Sequence, residues 1–153
     1  MFSAIIFSSM LGARTLLPVT IRKALEMMGN DSSAMILYIE DDLPNRVLIK
    51  RVLEAEGYEV REAESGSEGL QIAQAERPAL ILVDINLPEM DGFEVTARLR
   101  AMPELGTVPI IAVTANVMKG DREKTLAAGC SGYIAKPIDV DLLPVQLAAF
   151  LRQ

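Results

Sequence analysis

From Met35 onward, short apolar runs rich in β-branched residues alternate with longer stretches whose apolar residues recur at helical spacing. That alternation predicts strand–helix units built on a parallel sheet. Strands are predicted at Met35–Ile39, Glu59–Ala63, residues 79–83, residues 108–113 and Gly132–Ala135. The third and fourth runs are almost wholly apolar, as strands covered on both faces must be, whereas the second alternates and suits a place nearer an edge. Five such units favour an open, doubly wound α/β sheet over a barrel, which needs eight.

The predicted helices are punctuated. Leu48, Ile49, Val52 and Leu53 form one apolar face, and Gly57 follows as a natural stop. Ser65 with Glu68, and Asp91 with Glu94, have the form of capping boxes. Asp139 precedes a last helix whose apolar face includes Leu143, Leu147 and Leu151, and Pro144 is expected to loosen its first turn.

Residues 1–34 do not fit this alternation. A weak helix is predicted at 19–28, followed by a linker, G-N-D-S-S-A. The start has an apolar run without a basic region before it, a poor signal peptide. Three readings stay open: a loosely packed extension, upstream sequence that is not natively translated with Met35 as the true start, or a docking or membrane-surface helix. In each, 35–153 is expected to fold as one domain.

Composition narrows the chemistry. The 153 residues carry a net charge of -6, and because residues 1–34 hold +1, the remainder holds -7. There is no histidine and a single cysteine, Cys130. Imidazole-dependent triads, His-ligated zinc and a histidine phosphocarrier role are therefore excluded. One cysteine forms neither an internal disulfide nor a Cys-rich metal site, and points to a reducing, cytoplasmic setting. The acid excess argues against nucleic-acid binding, and no apolar run reaches the roughly 18 residues of a membrane span. Cys130 itself is expected to be a small buried hydrophobe.

In an open α/β sheet the functional crevice lies beyond the C-terminal ends of the strands. There the polar residues cluster: Glu40-Asp41-Asp42 after the first strand, Asp84 after the third, Thr114 after the fourth and Lys136-Pro137 after the fifth. Any one of these has an ordinary explanation, and Asp42 alone reads as a helix cap. Together they predict one acidic rim. Carboxylates held close repel one another, and Mg²⁺, with its preference for hard oxygen ligands, would relieve the repulsion; Lys136 adds a point charge suited to a phosphoryl oxygen.

These residues resemble the receiver domain of two-component response regulators, including stand-alone cell-cycle and chemotaxis-type regulators and the receivers of hybrid kinases. The likeness is carried by I-L-Y-I-E-D-D, L-V-D-I-N-L-P-E-M-D-G, V-T-A-N-V-M-K-G-D and Y-I-A-K-P, in that order, over nearly all of the chain beyond Met35. It implies a flavodoxin-like (βα)5 fold with strand order 2-1-3-4-5. It further implies phosphoryl transfer from a histidine kinase or histidine phosphotransfer protein to Asp84. Mg²⁺, or Mn²⁺, would be held by Asp41, Asp84 and the backbone carbonyl of Asn86, with Glu40 acting mainly through bound water. Lys136 would cover a phosphoryl oxygen and precede a cis proline. Thr114 and Tyr133 would form the switch, Ala115 would leave the site open, and Asn86 and Asn116 would flank it. Tyr133 by itself also reads as a half-buried strand aromatic.

The chain ends two residues after Leu151, so output is expected through a downstream protein target, with the chain a monomer or weak dimer. Two other classes compete. A Mg²⁺-dependent aspartyl-phosphate phosphohydrolase usually needs a second aspartate two residues after the nucleophile, where Asn86 stands, and a cap insertion that is absent. A flavodoxin-like FMN carrier needs a Ser/Thr-rich phosphate loop after the first strand, where Glu40-Asp41-Asp42 would repel phosphate.

Overall fold

The computed structural model describes residues 34–116 and 119–152, together with Pro18 and Ile21. Apart from Ile21, the helix expected at 19–28 and the linker after it lie outside the described residues, as does most of the 1–34 extension. The elements are β1 (Met35–Ile39), α1 (Leu43–Ala55), β2 (Glu59–Ala63), α2 (Gly66–Glu76), β3 (Leu80–Asp84), α3 (Gly92–Arg100), β4 (Ile110–Thr114), α4 (Lys119–Ala127), β5 (Gly132–Ala135) and α5 (Leu143–Leu151). A single 3-10 turn, Pro103–Leu105, lies between α3 and β4. The five strands form one parallel sheet in the order β2-β1-β3-β4-β5, as the family likeness implied.

Alternation along the central strands divides the core in two. Leu37, Ile39, Ile81, Val83 and Ala112 face Ala73 of α2 and Val95 and Leu99 of α3. Ile36, Tyr38, Leu80, Leu82 and Val113 face Ile49 and Leu53 of α1 and Leu143 and Leu147 of α5. Every residue of β3 and β4 is buried, and each large apolar side chain removed from water contributes roughly 1.5–3 kcal/mol before entropy is counted. Cys130 is buried in the first of these clusters, where burial pushes its thiol pKa up, and its sulfur lies 3.6 Å from the Thr96 hydroxyl.

Several boundaries differ from the sequence expectation. β3 runs one residue later at each end, so Asp84 is itself the last strand residue, paired in register with Val113. β4 starts at Ile110 because Pro109 has no N–H to give the ladder, although its carbonyl still accepts from Ile81 N at 2.9 Å. On α1, Ile49 and Leu53 reach the core, but Leu48 is exposed; one residue along a helix turns about 100°, which carries Leu48 off the buried stripe.

Of the two capping boxes, each has its serine or aspartate on the expected N–H, but the return bonds differ. Glu68 accepts from Glu64 N rather than from Ser65, and Glu94 pairs with Arg98 at 2.6 Å. Gly57 ends α1 with φ 97°, a conformation that costs glycine little. Pro144 falls at the second position of α5, where no intrahelical donor is required, so the first turn forms without loosening.

Candidate functional site

The strand ends bring the rim together. β1 delivers Glu40, 1% exposed, then Asp41, which is exposed, then Asp42, whose side chain caps α1 by accepting from Asn45 N at 3.0 Å. One turn into α1, Arg46 reaches back: its Nη1 donates to the main-chain carbonyls of Glu40 at 2.7 Å and Asp41 at 2.9 Å. β3 delivers Asp84, 2% exposed, with Oδ1 accepting from Asn86 N at 2.9 Å. Behind it the Gly92 N–H donates to the Ile85 carbonyl at 3.0 Å, and a Cβ on Gly92 would stand 2.5 Å from the Asp84 carbonyl oxygen. Any side chain there would push the end of β3 out of line.

Lys136 enters from the far side of the sheet. Its backbone N–H donates to Thr114 O at 2.8 Å, and the Lys136–Pro137 bond is cis, as expected. Its Nζ lies 2.7 Å from Asp84 Oδ2 and 2.9 Å from Glu40 Oε2. Glu40, Asp41 and Asp84 each place a carboxylate oxygen within 4.8 Å of the others. Burial raises the Glu40 pKa, although the Lys136 ammonium works against it. Burial alone would lower the Lys136 pKa; bonds to Asp84 and Glu40 outweigh it, and the net shift is upward. One ammonium therefore faces two deeply buried carboxylates and a third at the surface. Such an arrangement of hard oxygens around a deficit of positive charge suits a divalent cation.

The site thus contains four residues expected from the sequence, Glu40, Asp41, Asp84 and Lys136, with Asn86 bonded to Asp84 through its backbone. Thr114 is buried at the end of β4, but its hydroxyl is turned into its own loop, donating to Asn116 O at 3.2 Å and accepting from Asn116 N at 3.0 Å. Tyr133 lies on β5 with its ring outward, 38% exposed. Asn45, Leu48, Ala115, Lys136 and Ile138 line a cleft of about 420 Å³ beside the acids.

Two residues escaped the sequence reading. Tyr38, fully buried, donates its hydroxyl to Glu40 Oε2 at 3.1 Å. Burial first, then the Glu40 charge, raises its pKa. Its position two before Glu40, on the same side of the strand, was the available signal. Arg46 stands four residues after a helix cap, a spacing that lets a long side chain fold back over the first turn. Arg46 is buried, and Arg46→Ala would leave the Glu40 and Asp41 carbonyls without their charged donor. It is expected to cost about 2–3 kcal/mol, read as a lower urea midpoint with unchanged slope.

The family model described as the response regulator receiver domain matches residues 36–148. The chain belongs to that family. Among curated relatives of this receiver, the polar-differentiation response regulator DivK of Brucella anthropi is 47% identical over 105 residues, covering 69% of this chain and 85% of the relative. Among solved structures, the chemotaxis protein CheY4 of Vibrio cholerae superposes with a TM-score of 0.76 at 29% identity, over 78% of this chain and 99% of that one. The receiver domain of the sensor histidine kinase PA1611 from Pseudomonas aeruginosa matches with a TM-score of 0.74 at 36% identity, over 80% of this chain and all of that one. That structure holds a magnesium ion coordinated in its active-site cleft. Receivers are two-component signalling domains rather than conventional enzymes, and among the described residues no helix is long and apolar enough to cross a membrane.

Proposed function

We propose that this receiver accepts a phosphoryl group on Asp84 from the phosphohistidine of a kinase or phosphotransfer protein, and passes the signal to a downstream protein. The observation that carries this reading is Lys136 bridging Asp84 and Glu40 at 2.7 and 2.9 Å inside a triad of carboxylates. Asp84 Oδ2 attacks phosphorus, the bond from phosphorus to the donor's imidazole nitrogen breaks, and an acyl phosphate forms. Asn86 N–H holds Oδ1, and Oδ2 becomes free to react as Lys136 turns from it to the incoming phosphoryl oxygen. Asp41, Asp84 and the Asn86 carbonyl, with Glu40 acting through water, would hold Mg²⁺ or Mn²⁺, which would neutralise charge on the phosphoryl oxygens. Lys136 covers another of those oxygens.

The new acceptor oxygens then compete for the Thr114 hydroxyl, which must give up its bonds to Asn116 to reach them. Its departure opens room for the outward Tyr133 ring, and the partner reads the repacked surface. The missing histidine is then the donor's contribution. A buried, free Cys130 is in keeping with a cytoplasmic setting.

In the test, the full chain is incubated with Mg²⁺ and acetyl phosphate. An added mass of about 80 Da, the phosphoryl group, should map to Asp84. No adduct in the parent chain, or an adduct that survives in Asp84→Ala, would sink this reading, and multiple turnover of small phosphomonoesters by the parent would favour a phosphohydrolase instead.

Residues 35–153 we take as the receiver and 1–34 as an extension it does not need. A 35–153 fragment should melt cooperatively and be labelled at the rate of the full chain. A broad, non-cooperative melt would show that the extension belongs to the fold.

A further inference from the structure

We propose that Tyr38 is a positioning residue for Glu40, a role that rests on the Mg²⁺ reading above. Glu40 is held by three donors: Tyr38 Oη at 3.1 Å and Lys136 Nζ at 2.9 Å on Oε2, and Asp42 N–H at 3.1 Å on Oε1. A glutamate has three rotatable side-chain bonds, and a ligand or water-holding group is useful to a small, strongly hydrated cation only when its oxygens are fixed.

The three donors are not equivalent. Lys136 sits on a flexible stem, shares its ammonium with Asp84, and is the group that must turn to an incoming phosphoryl oxygen. When it does, Oε2 of a nearly fully buried carboxylate loses its charged partner. Tyr38 cannot leave in the same way. Its ring is fully buried in the cluster that includes Ile49, Leu53, Leu82 and Val113. Its hydroxyl can therefore keep the Glu40 plane oriented while Lys136 is drawn away. An aliphatic residue would fill the same core space on β1, but it would leave Oε2 without this second donor.

The test is Mg²⁺ binding by calorimetry to the full chain and to Tyr38→Phe, Glu40→Gln and the double variant. Tyr38→Phe removes only the hydroxyl and is expected to raise the Mg²⁺ dissociation constant about tenfold, the lower end of what outer-shell partners of metal ligands contribute. In the Glu40→Gln background, the same change should add less than about twofold, because the charged acceptor is gone.

A second measurement needs no variant to fold. Titrating the parent chain with Mg²⁺ should give a tyrosine near-ultraviolet difference spectrum as Glu40 redistributes its charge between hydroxyl and ion. Unchanged Mg²⁺ affinity in Tyr38→Phe, an equal increment in both backgrounds, or no spectral change on Mg²⁺ binding would each overturn the proposal. A parent chain that binds no Mg²⁺ overturns it together with the metal reading. A parent that binds Mg²⁺ yet takes no phosphoryl adduct sinks only the phosphoacceptor reading.

Discussion

An Asp84→Asn chain is expected to take no phosphoryl group from acetyl phosphate while unfolding at a urea concentration no lower than the parent's. The two halves of that result have different causes. The amide oxygen is a far poorer nucleophile than a carboxylate, so the acyl phosphate cannot form at this position. The amide can nonetheless keep one of the two local bonds, because its oxygen can still accept from Asn86 N–H, a bond now 2.9 Å long. Its NH2 cannot accept from Lys136 and leaves that ammonium to turn wholly to Glu40.

Lys136 retains Glu40 at 2.9 Å, and the pair becomes one ammonium to one buried carboxylate instead of one to two. Removing a like charge from a crowded pair costs little and can stabilise. Mg²⁺ should separate the chains further. At a hundredfold excess over its dissociation constant a ligand of the folded state adds about 2.7 kcal/mol, and the variant, with a ligand gone, should gain much less. Intact-mass measurement and urea titrations with and without Mg²⁺ read both effects. An adduct persisting in Asp84→Asn would place the acceptor elsewhere.

The architecture and most of the rim were legible from the sequence because both follow from local pattern. The runs in β3 and β4 are almost wholly apolar, as covered strands must be, and the first polar residue after each strand run must emerge at the same edge of a parallel sheet. Glu40, Asp84, Thr114 and Lys136 were found in this way. What stayed hidden depends on three-dimensional detail. The Tyr38 hydroxyl became a partner of Glu40 only because β1 lies between β2 and β3, where its ring is sealed from water. Arg46 reads as a surface cation until the α1 entry angle brings it under the acidic loop. The Thr114 bonds to Asn116 turn on a side-chain rotamer, which no periodicity encodes. Leu48 shows the same limit on a helix, where the apolar stripe is wider in sequence than the face the sheet can cover.

Replacing Lys136 with methionine should be the costliest single change in the site for the metal-free protein. Methionine preserves length and apolar stem but removes the ammonium that, among the described residues, alone contacts both Glu40 Oε2 and Asp84 Oδ2. Breaking a buried pair by removing one partner typically costs about 3–5 kcal/mol, because the surviving charges are left uncompensated. The pH dependence identifies the cause. Glu40 has a folded pKa already raised by burial above the ordinary 4.5, and loss of Lys136 removes the larger of the two contacts that opposed that rise, leaving the Asp42 N–H. A carboxylate with a raised folded pKa favours the folded state below its unfolded value, and that contribution is lost as pH rises through the folded value. The deficit relative to the parent should therefore be small in acid, where Glu40 is protonated in both chains, and grow to its full size towards neutrality. Mg²⁺ should return part of the lost stability, since a cation among Glu40, Asp41 and Asp84 supplies the missing counter-charge, but phosphoryl uptake should stay slow at saturating metal. Urea midpoints across pH, with and without Mg²⁺, check the sign. A deficit independent of both would assign the loss to packing of the lysine stem instead of its charge.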